Sequence, residues 1–440
     1  MIRVLRRNTE LGLILLAALL TGGSYVLASL GDRSKLPANL VPFLLIILGL
    51  FVFAHLAMRA LAPGADGTLL PLAGLLNGIG YVFIVRLDKN LAGLQAVWTA
   101  VGVCGFVGTL FVVRRVKDLE RFRYTFALIG LGLLLMPLLP SIGQNINGAR
   151  LWVRLGPMNF QPGEIAKIAL CIFFASYLVE KQELLSFARL RLGPVPFPDL
   201  KHYGPLVLMW GVSLVVMVFE RDLGSSMLFF ALFIVLLWVA TGRGAYLLVG
   251  GVLFAAGSWA AYESFAHVRS RVKIWLNPWP VALGAGYQVI QALFAFAAGG
   301  FAGTNLGQGS PDRIPAVATD FVFAAIGEEL GLLGTVAVLV AFLLMVGAGL
   351  RIATRAEPPF EKLLAAGLTA IIGLQTFIIV GGVTRLIPLT GITLPFISYG
   401  GSSLLSNYIL LALLLRISDD QTARDQQEFA GRDATYAGTR

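Results

Sequence analysis

The sequence predicts an all-α polytopic membrane protein of about 10–12 transmembrane helices, with a large extracytoplasmic loop before a helix starting near residue 319. Three observations carry that reading. Of 440 residues, 57% are hydrophobic and 13% charged, with a mean hydropathy of +0.81; soluble domains carry about 25% charged residues. The apolar residues fall in runs long enough to span a bilayer, and such runs can only be helices, because in lipid the backbone must satisfy its own hydrogen bonds. The basic residues gather in short loops that share one side if the spans alternate.

Residues 1–10 are short and basic, with Arg3, Arg6 and Arg7. The run Leu11–Leu30 is longer than a usual signal core and many spans follow it, so it reads as an uncleaved first helix. Further runs lie near 40–62, 68–86, 91–113 and 122–140. A polar loop covers 141–162, and a helix follows at 163–180. After a basic loop to 204 come helices near 205–219, 223–240 and 244–262. A loop over 263–318 leads into a helix from 319 to 350, and the last two helices lie near 363–386 and 402–416. Residues 1–416 therefore form one polytopic domain, with N-terminal helices over 1–140 and a motif-bearing core over 141–416. The tail, 417–440, is polar and mixed in charge, and is expected to be disordered.

Orientation follows from charge. The N-terminus, Arg114–Arg123, the Lys181–Lys201 loop, Arg243 and Arg351–Lys362 share one side, which the positive-inside rule makes cytoplasmic. Both termini are then cytoplasmic. The 141–162 loop, the Asp222 turn, the 263–318 loop and the 387–401 turn converge on the outer face.

The net charge of +10 does not signal nucleic acid, because the basic residues form no aromatic-interleaved patch. Contact with anionic lipid headgroups fits better. Cys104 and Cys171 both fall in apolar runs, which excludes a disulfide framework or a cysteine metal site. His55, His202 and His267 show no ligand spacing.

Ionisable residues in or beside a span are costly, and each is a functional candidate. The stretch 314–331 carries Asp320, Glu328 and Glu329, with Glu328 on the order of 12 Å further along a continuous helix. Thr319 and Asp320 also suit a helix start, so a plain cap and a chemical role both fit. Glu164 and Lys167 are three apart and share a helix face, either as a structural ion pair or as the charged wall of a headgroup site. Trp152 suits an interfacial anchor, and Arg150 beside it suits a phosphate. Asp222 can cap the helix that follows it or act chemically. Arg269, Arg271 and Lys273, followed by Trp275 and Trp279, suit an anionic headgroup. The turn 388–403, with Ser398, is rich in Pro and Gly and exposes backbone amides.

Five motifs occur in order: Asn147-Gly-Ala-Arg-Leu-Trp152, Phe160-Gln-Pro-Gly-Glu-Ile-Ala-Lys167, Asp222-Leu-Gly-Ser225, Thr319-Asp-Phe-Val-Phe-Ala-Ala-Ile-Gly-Glu-Glu-Leu-Gly331, and Leu394-Pro-Phe-Ile-Ser-Tyr-Gly-Gly-Ser402. Together they resemble the SEDS family of shape, elongation, division and sporulation proteins, typified by RodA, FtsW and SpoVE, over Asn147 to Arg416. The resemblance implies a peptidoglycan glycosyltransferase in the bacterial inner membrane. It would polymerise lipid II on the outer face beside a class B penicillin-binding protein. The family's essential acid falls on Asp320, its paired helix charges on Glu164 and Lys167, its loop tryptophan on Trp152, and the acid of its short turn on Asp222. Departures are Leu151 where a second arginine is usual, Pro315-Ala-Val-Ala318 before Thr319, Glu220-Arg221 before Asp222, and an extra pair of spans before Asn147.

In such a reaction Asp320 is the expected general base. Arg150, Lys167, Arg271, Lys273 or a divalent cation (Mg²⁺ or Mn²⁺) would meet the leaving pyrophosphate, with no organic cofactor. The rival readings are a lipid II flippase and a non-catalytic scaffold for the penicillin-binding protein, and the product of the reaction separates them.

Overall fold

The apolar runs fold as helices that cross the bundle back and forth. The computed structural model describes residues 2–33, 40–140, 142–146, 149–156, 158–186, 190–192, 195–197 and 204–437. Asn147, Gly148, Pro157, Lys201 and His202 lie outside these residues. In order come α1 (Ile2–Arg33), α2 (Leu40–Leu61), α3 (Leu69–Leu87), α4 (Lys89–Val112), the single turn α5 (Lys117–Glu120) and α6 (Arg123–Leu135). The 141–162 loop is a small antiparallel sheet, β1 (Gly143–Ile146), β2 (Ala149–Leu155) and β3 (Met158–Phe160), with Gln144 opposite Trp152 and Val153 opposite Phe160. Then follow α7 (Gly163–Ser186), the hairpin β4 (Leu190–Leu192) and β5 (Val195–Phe197), α8 (Gly204–Phe219), α9 (Leu223–Thr241) and α10 (Ala245–Ser264). The chain ends with α11 (Ala266–Leu276), α12 (Tyr287–Gly299), α13 (Val322–Arg355), α14 (Pro359–Val383) and α15 (Gly401–Ala437). Among the described residues, nine helices are long and apolar enough to cross a membrane, with shorter apolar helices beside them. This is a multi-pass membrane protein.

The core lies where α7, α9, α14 and α15 meet, with Leu170, Phe174, Leu232, Leu364, Leu368 and Leu411 fully buried. The polar contacts sort to the two ends of the bundle. At the end rich in basic residues, Arg416 donates to the carbonyls of Leu61 (2.6 Å) and Val113 (2.8 Å), and Arg351 pairs with Asp66 (3.0 Å). At the other end, Arg150 N donates to Glu220 O (3.4 Å), Gln161 N to Ser402 Oγ (2.8 Å) and Tyr399 N to Ala318 O (2.8 Å). The four polar segments therefore meet at one end, as the alternation of spans required.

Three expectations need correction. First, α15 does not stop at 416 to release a disordered tail, but runs on to Ala437. Gln421 donates to Ile352 O (2.9 Å), Thr422 to Gly64 O (2.8 Å), and Arg424 pairs with Glu361. Composition counts apolar area, whereas this segment is held by polar contacts with the ends of other helices. Second, 263–318 is no simple loop, because it holds α11 and α12. Third, α13 begins at Val322 rather than 319, and it breaks at Gly331 (φ 63°, ψ −161°). A side chain there would be strained and would meet Gly303 N. The donors freed by the break are satisfied by the preceding loop: Leu332 N binds Gly300 O (3.0 Å) and Leu333 N binds Phe301 O (3.2 Å). Glu328 and Glu329 thus sit on a short piece before the break rather than deep in one continuous helix. Their carboxylates accept from Ser310 N (2.8 Å) and Gly307 N (3.0 Å).

Candidate active site

A cavity of about 470 Å³ opens at the sheet-bearing end, between α11, the start of α12, the 314–321 segment and the turn after α14. Arg271, Trp275, Tyr287, Asp320, Arg385 and Gly391 line it. Reciprocal bonds staple α11 to the turn. Arg271 Nη1 donates to Leu389 O (2.8 Å), Trp275 Nε1 to Arg385 O (3.0 Å), and Arg385 Nη2 to Trp275 O (2.7 Å). These bonds fix both arginines while leaving guanidinium faces along the cavity wall.

Asp320 stands opposite them. Its own amide and that of Thr319 fold back onto Ala316 O (3.1 and 3.2 Å), and Ala316 is forced to φ 56°. The cap position of α13 is Phe321, which makes no side-chain cap bond. The plain-cap alternative is therefore not the one realised, and the Asp320 carboxylate faces the cavity. Burial raises its pKa above the ordinary carboxylate value, opposed by the Thr319 hydrogen bond and by Arg271. The close approach of Gly391 (φ 75°) brings the two charges together. A Cβ there would lie 3.5 Å from Asp320 Oδ2 and 3.8 Å from Arg271 Nη1, so acid and base are within about 7 Å.

Asp222 is used differently. It caps α9, accepting from Ser225 N (2.8 Å), and it is buried. Burial raises its pKa too, against the Ser225 hydrogen bonds, while Glu164 pushes it up and Arg271 down. Its neighbour Glu220 is pushed to about 9, chiefly by burial and then by Asp222, so it is a neutral acid at pH 7. Non-glycine residues held at positive φ cluster around this site: Arg221 (63°), Ala316 (56°) and Arg385 (61°). Such strain persists only where surrounding structure enforces it.

Behind the cavity runs a buried polar chain. Lys167 Nζ reaches Glu164 Oε2 (2.6 Å) and donates to Gln375 Oε1 (2.8 Å). Gln375 Nε2 donates to Thr393 O (2.9 Å), and Thr393 Oγ1 to Ser403 Oγ (2.8 Å). Lys167, paired with Glu164 within α7, thus ties α7 through Gln375 to α14 and to the turn that shapes the cavity.

Of the residues singled out in the sequence, Asp320 and Arg271 line the cavity, while Glu164, Lys167 and Asp222 stand behind it. Ser398 is buried, its Oγ accepts from Leu394 N (2.9 Å), and it does not line the cavity. Arg150 and Trp152 lie on β2, which is docked to the Glu220 turn, and neither lines the cavity. Lys273 is on the exposed face of α11. Sequence reasoning missed Tyr287, Arg385, Gly391 and Gln375. Gln375 was findable, as the one amide in the apolar run of α14; the other three carried no local signal. Among the described residues no group of three or more His, Cys, Asp or Glu side chains could hold a metal ion.

The model of the FtsW/RodA/SpoVE family, described as cell cycle protein, matches residues 79–423. The peptidoglycan glycosyltransferase RodA of Mycobacterium tuberculosis (strain H37Rv) is 46% identical over 424 residues, covering 94% of this chain and 90% of that protein. The probable peptidoglycan glycosyltransferase FtsW of Geobacter metallireducens is 36% identical over 288 residues, covering 65% and 74%. Among solved structures, a chain from a peptidoglycan synthase complex, described for its structural coordination of polymerization and crosslinking, superposes with a TM-score of 0.66. It has 25% identity and covers 81% of this chain and 98% of its own. The Thermus thermophilus rod shape determining protein RodA gives a TM-score of 0.58 at 25% identity, covering 81% and 97%.

Proposed function

The chain belongs to the FtsW/RodA/SpoVE family, and on that premise we propose that it is a peptidoglycan glycosyltransferase in which Asp320 deprotonates the acceptor sugar. It polymerises lipid II on the outer face of the bacterial inner membrane, with both termini cytoplasmic. One observation carries the assignment: a carboxylate that caps nothing faces a cavity, within about 7 Å of a guanidinium held on the opposite wall.

The chemistry follows from the geometry. A sugar hydroxyl is a weak nucleophile, so its proton must leave as the new bond forms. Asp320 takes it. The burial that raises the pKa of Asp320 makes it a stronger base than an exposed aspartate. The hydroxyl oxygen bonds to the anomeric carbon of the donor, and the anomeric C–O bond to the polyprenyl pyrophosphate breaks. The leaving group departs with the electron pair, and the centre inverts. Arg271 and Arg385, on the facing wall, oppose the charge that develops on the pyrophosphate. The strapped α11 keeps Arg271 from following the leaving group.

A divalent cation is part of the expectation for pyrophosphate chemistry. The cavity offers one carboxylate beside two guanidinium groups, and that donor set makes no protein cage for Mg²⁺ or Mn²⁺.

The partner is a class B penicillin-binding protein that crosslinks the product. The neighbour from a complex that couples polymerization with crosslinking supports this reading. A flippase needs its polar groups to serve both faces in turn, whereas here Asp320, Arg271, Asp222 and Glu220 gather at one end of the bundle. The test is polymerisation of purified lipid II by the purified chain, alone and with its cognate partner, against Asp320→Asn. Glycan strands from the native chain and none from the folded variant support the assignment. Strands from both move the base elsewhere, and relocated lipid without strands returns the flippase.

A further inference from the structure

Helix α1 precedes residues 79–423, the part of the chain that the family model covers. It nevertheless reaches the loop that carries Asp320. Its last turns pack backbone on backbone against residues 306–307. A Cβ on Gly31 would lie 2.1 Å from Leu306 O, and one on Gly307 would lie 2.3 Å from Ala28 O, so neither contact has room for a methyl group. Arg86 of α3 completes the junction. Its Nη1 is 3.7 Å from Asp32 Oδ1, its Nε 3.4 Å from Glu329 Oε1, and its Nη2 donates to Gly309 O at 3.1 Å.

The loop seated there is a clasp. Ser310 N donates to Glu328 Oε1 (2.8 Å), Gly307 N to Glu329 Oε2 (3.0 Å) and Thr304 N to Glu328 O (2.9 Å). Ser310 and Glu328 bracket the segment that bears Asp320, so these bonds close residues 310–328 into a ring. The ring is backed on one side by α1 and Arg86. On its far side Tyr399 N holds Ala318 O (2.8 Å).

We propose that α1 is a positioning element of the active site: Gly31 and Asp32, with Arg86, back the clasp that sets where Asp320 stands. The proposal rests on Asp320 as the base. General-base catalysis is sensitive to placement, and a shift of about 1 Å from a distant substitution can cost on the order of 100-fold in rate. A helix outside the residues that the family model matches would thus tune the chemical step from behind the clasp.

The test is Gly31→Ala in the full chain, with Gly23→Ala as control, since a Cβ at Gly23 meets nothing within 4 Å. Alanine favours a helix over glycine by about 1 kcal/mol, so α1 itself is not weakened. The first readout is amide hydrogen exchange in lipid nanodiscs, which does not depend on activity. Faster exchange confined to 303–321 in Gly31→Ala, and none in the control, supports the proposal. Native exchange there overturns it, and so does a rise spread over the whole chain, which marks general destabilisation. The second readout is polymerisation kinetics. The expected result is a kcat reduced about tenfold with a near-native KM for lipid II, and partial retention by Arg86→Lys where Arg86→Met loses it. Native kcat in Gly31→Ala overturns the proposal. If Asp320→Asn remains fully active, the base assignment falls instead, and the exchange data still judge the clasp.

Discussion

Replacing Arg271 by glutamine separates two jobs that one guanidinium does at this site. Arg271 faces Asp320 across Gly391, with the charges within about 7 Å. At an effective dielectric of about 20, two unit charges at about 7 Å interact by roughly 2 kcal/mol, and water in the cavity reduces this toward roughly 1 kcal/mol. One pKa unit corresponds to about 1.4 kcal/mol, so the expected shift is about one unit. The sign is fixed by charge. The arginine favours the ionised carboxylate, so its loss raises the pKa of Asp320 beyond the increase that burial already imposes. A base works only when deprotonated. The acidic limb of the kcat/KM profile therefore moves to higher pH by about one unit in Arg271→Gln. Activity lost at low pH is partly regained in alkali, and a pH-independent loss from weaker pyrophosphate stabilisation lies beneath it. The assay is lipid II polymerisation across a buffered pH series, with lysine as the conservative variant keeping the limb near its native place. A limb that stays where it is, or moves to lower pH, refutes the electrostatic link between Arg271 and Asp320.

Four further outcomes are expected. Lys167→Ala leaves Glu164 buried without its cation and destabilises by about 3–5 kcal/mol; Lys167→Met with Glu164→Gln recovers most of that in a thermal-unfolding cycle. Glu220, at about 9 in the fold and near 4.5 when unfolded, binds a proton only in the native state across that window, so native stability falls as pH rises through it. Glu220→Gln removes that cost and is more stable than the native chain at pH 7, by up to about 3 kcal/mol, read as a pH-dependent gap in thermal midpoint. Gly391→Ala finds ordinary contact distances but must hold φ 75°, so it loses about 1 kcal/mol of stability and several-fold in kcat. Arg416→Ala strips charge-assisted bonds from the Leu61 and Val113 carbonyls and lowers stability by about 3 kcal/mol; truncation after 416 lowers the thermal midpoint too, by removing the bonds of Gln421, Thr422 and Arg424, where a disordered tail would leave it untouched.

The spans were legible because a lipid-facing helix has one sequence signature, and the two ends of the bundle were legible because charge sorts with topology. The convergence of four polar segments followed from those two facts alone. What the sequence hid depended on pairing across distance. Arg385 falls at the end of the apolar run 363–386 and carries no signal there until Trp275 O, 110 residues away, is seen to hold it. Gly391 is one glycine among 50 until Asp320 and Arg271 close over it. The polar stretch 417–424 hides its order for the same reason, since its partners are Gly64 in the turn after α2 and the ends of α13 and α14, which no local window contains. A continuous helix over 319–350 makes Glu328 and Glu329 functional candidates deep in a span, and only the break at Gly331 removes them from that depth. Their hydrogen bonds to Ser310 and Gly307 make them structural.

Two aspartates compete for the role of base, and both lie within the electrostatic reach of Arg271. Burial raises the pKa of each, so basicity does not separate them. Hydrogen bonding does. Asp222 spends its oxygens on the amide and hydroxyl of Ser225, and those bonds hold the carboxylate against α9. A proton arriving on Oδ2 would have to reverse its bond with the Ser225 hydroxyl, while Oδ1 stays committed to the cap of α9, so neither oxygen is free for a substrate hydroxyl. Asp320 has no such duty, because α13 starts from Phe321 without a side-chain cap. Its carboxylate lies on the cavity wall, where an acceptor hydroxyl can reach it. Asp222→Asn keeps an acceptor for the Ser225 amide, and so should retain measurable turnover with a lower thermal midpoint. Asp320→Asn keeps the shape of the site and removes the base, and so should lose turnover at an unchanged midpoint. The reverse pattern, turnover lost with Asp222 and retained with Asp320, would exchange the two roles.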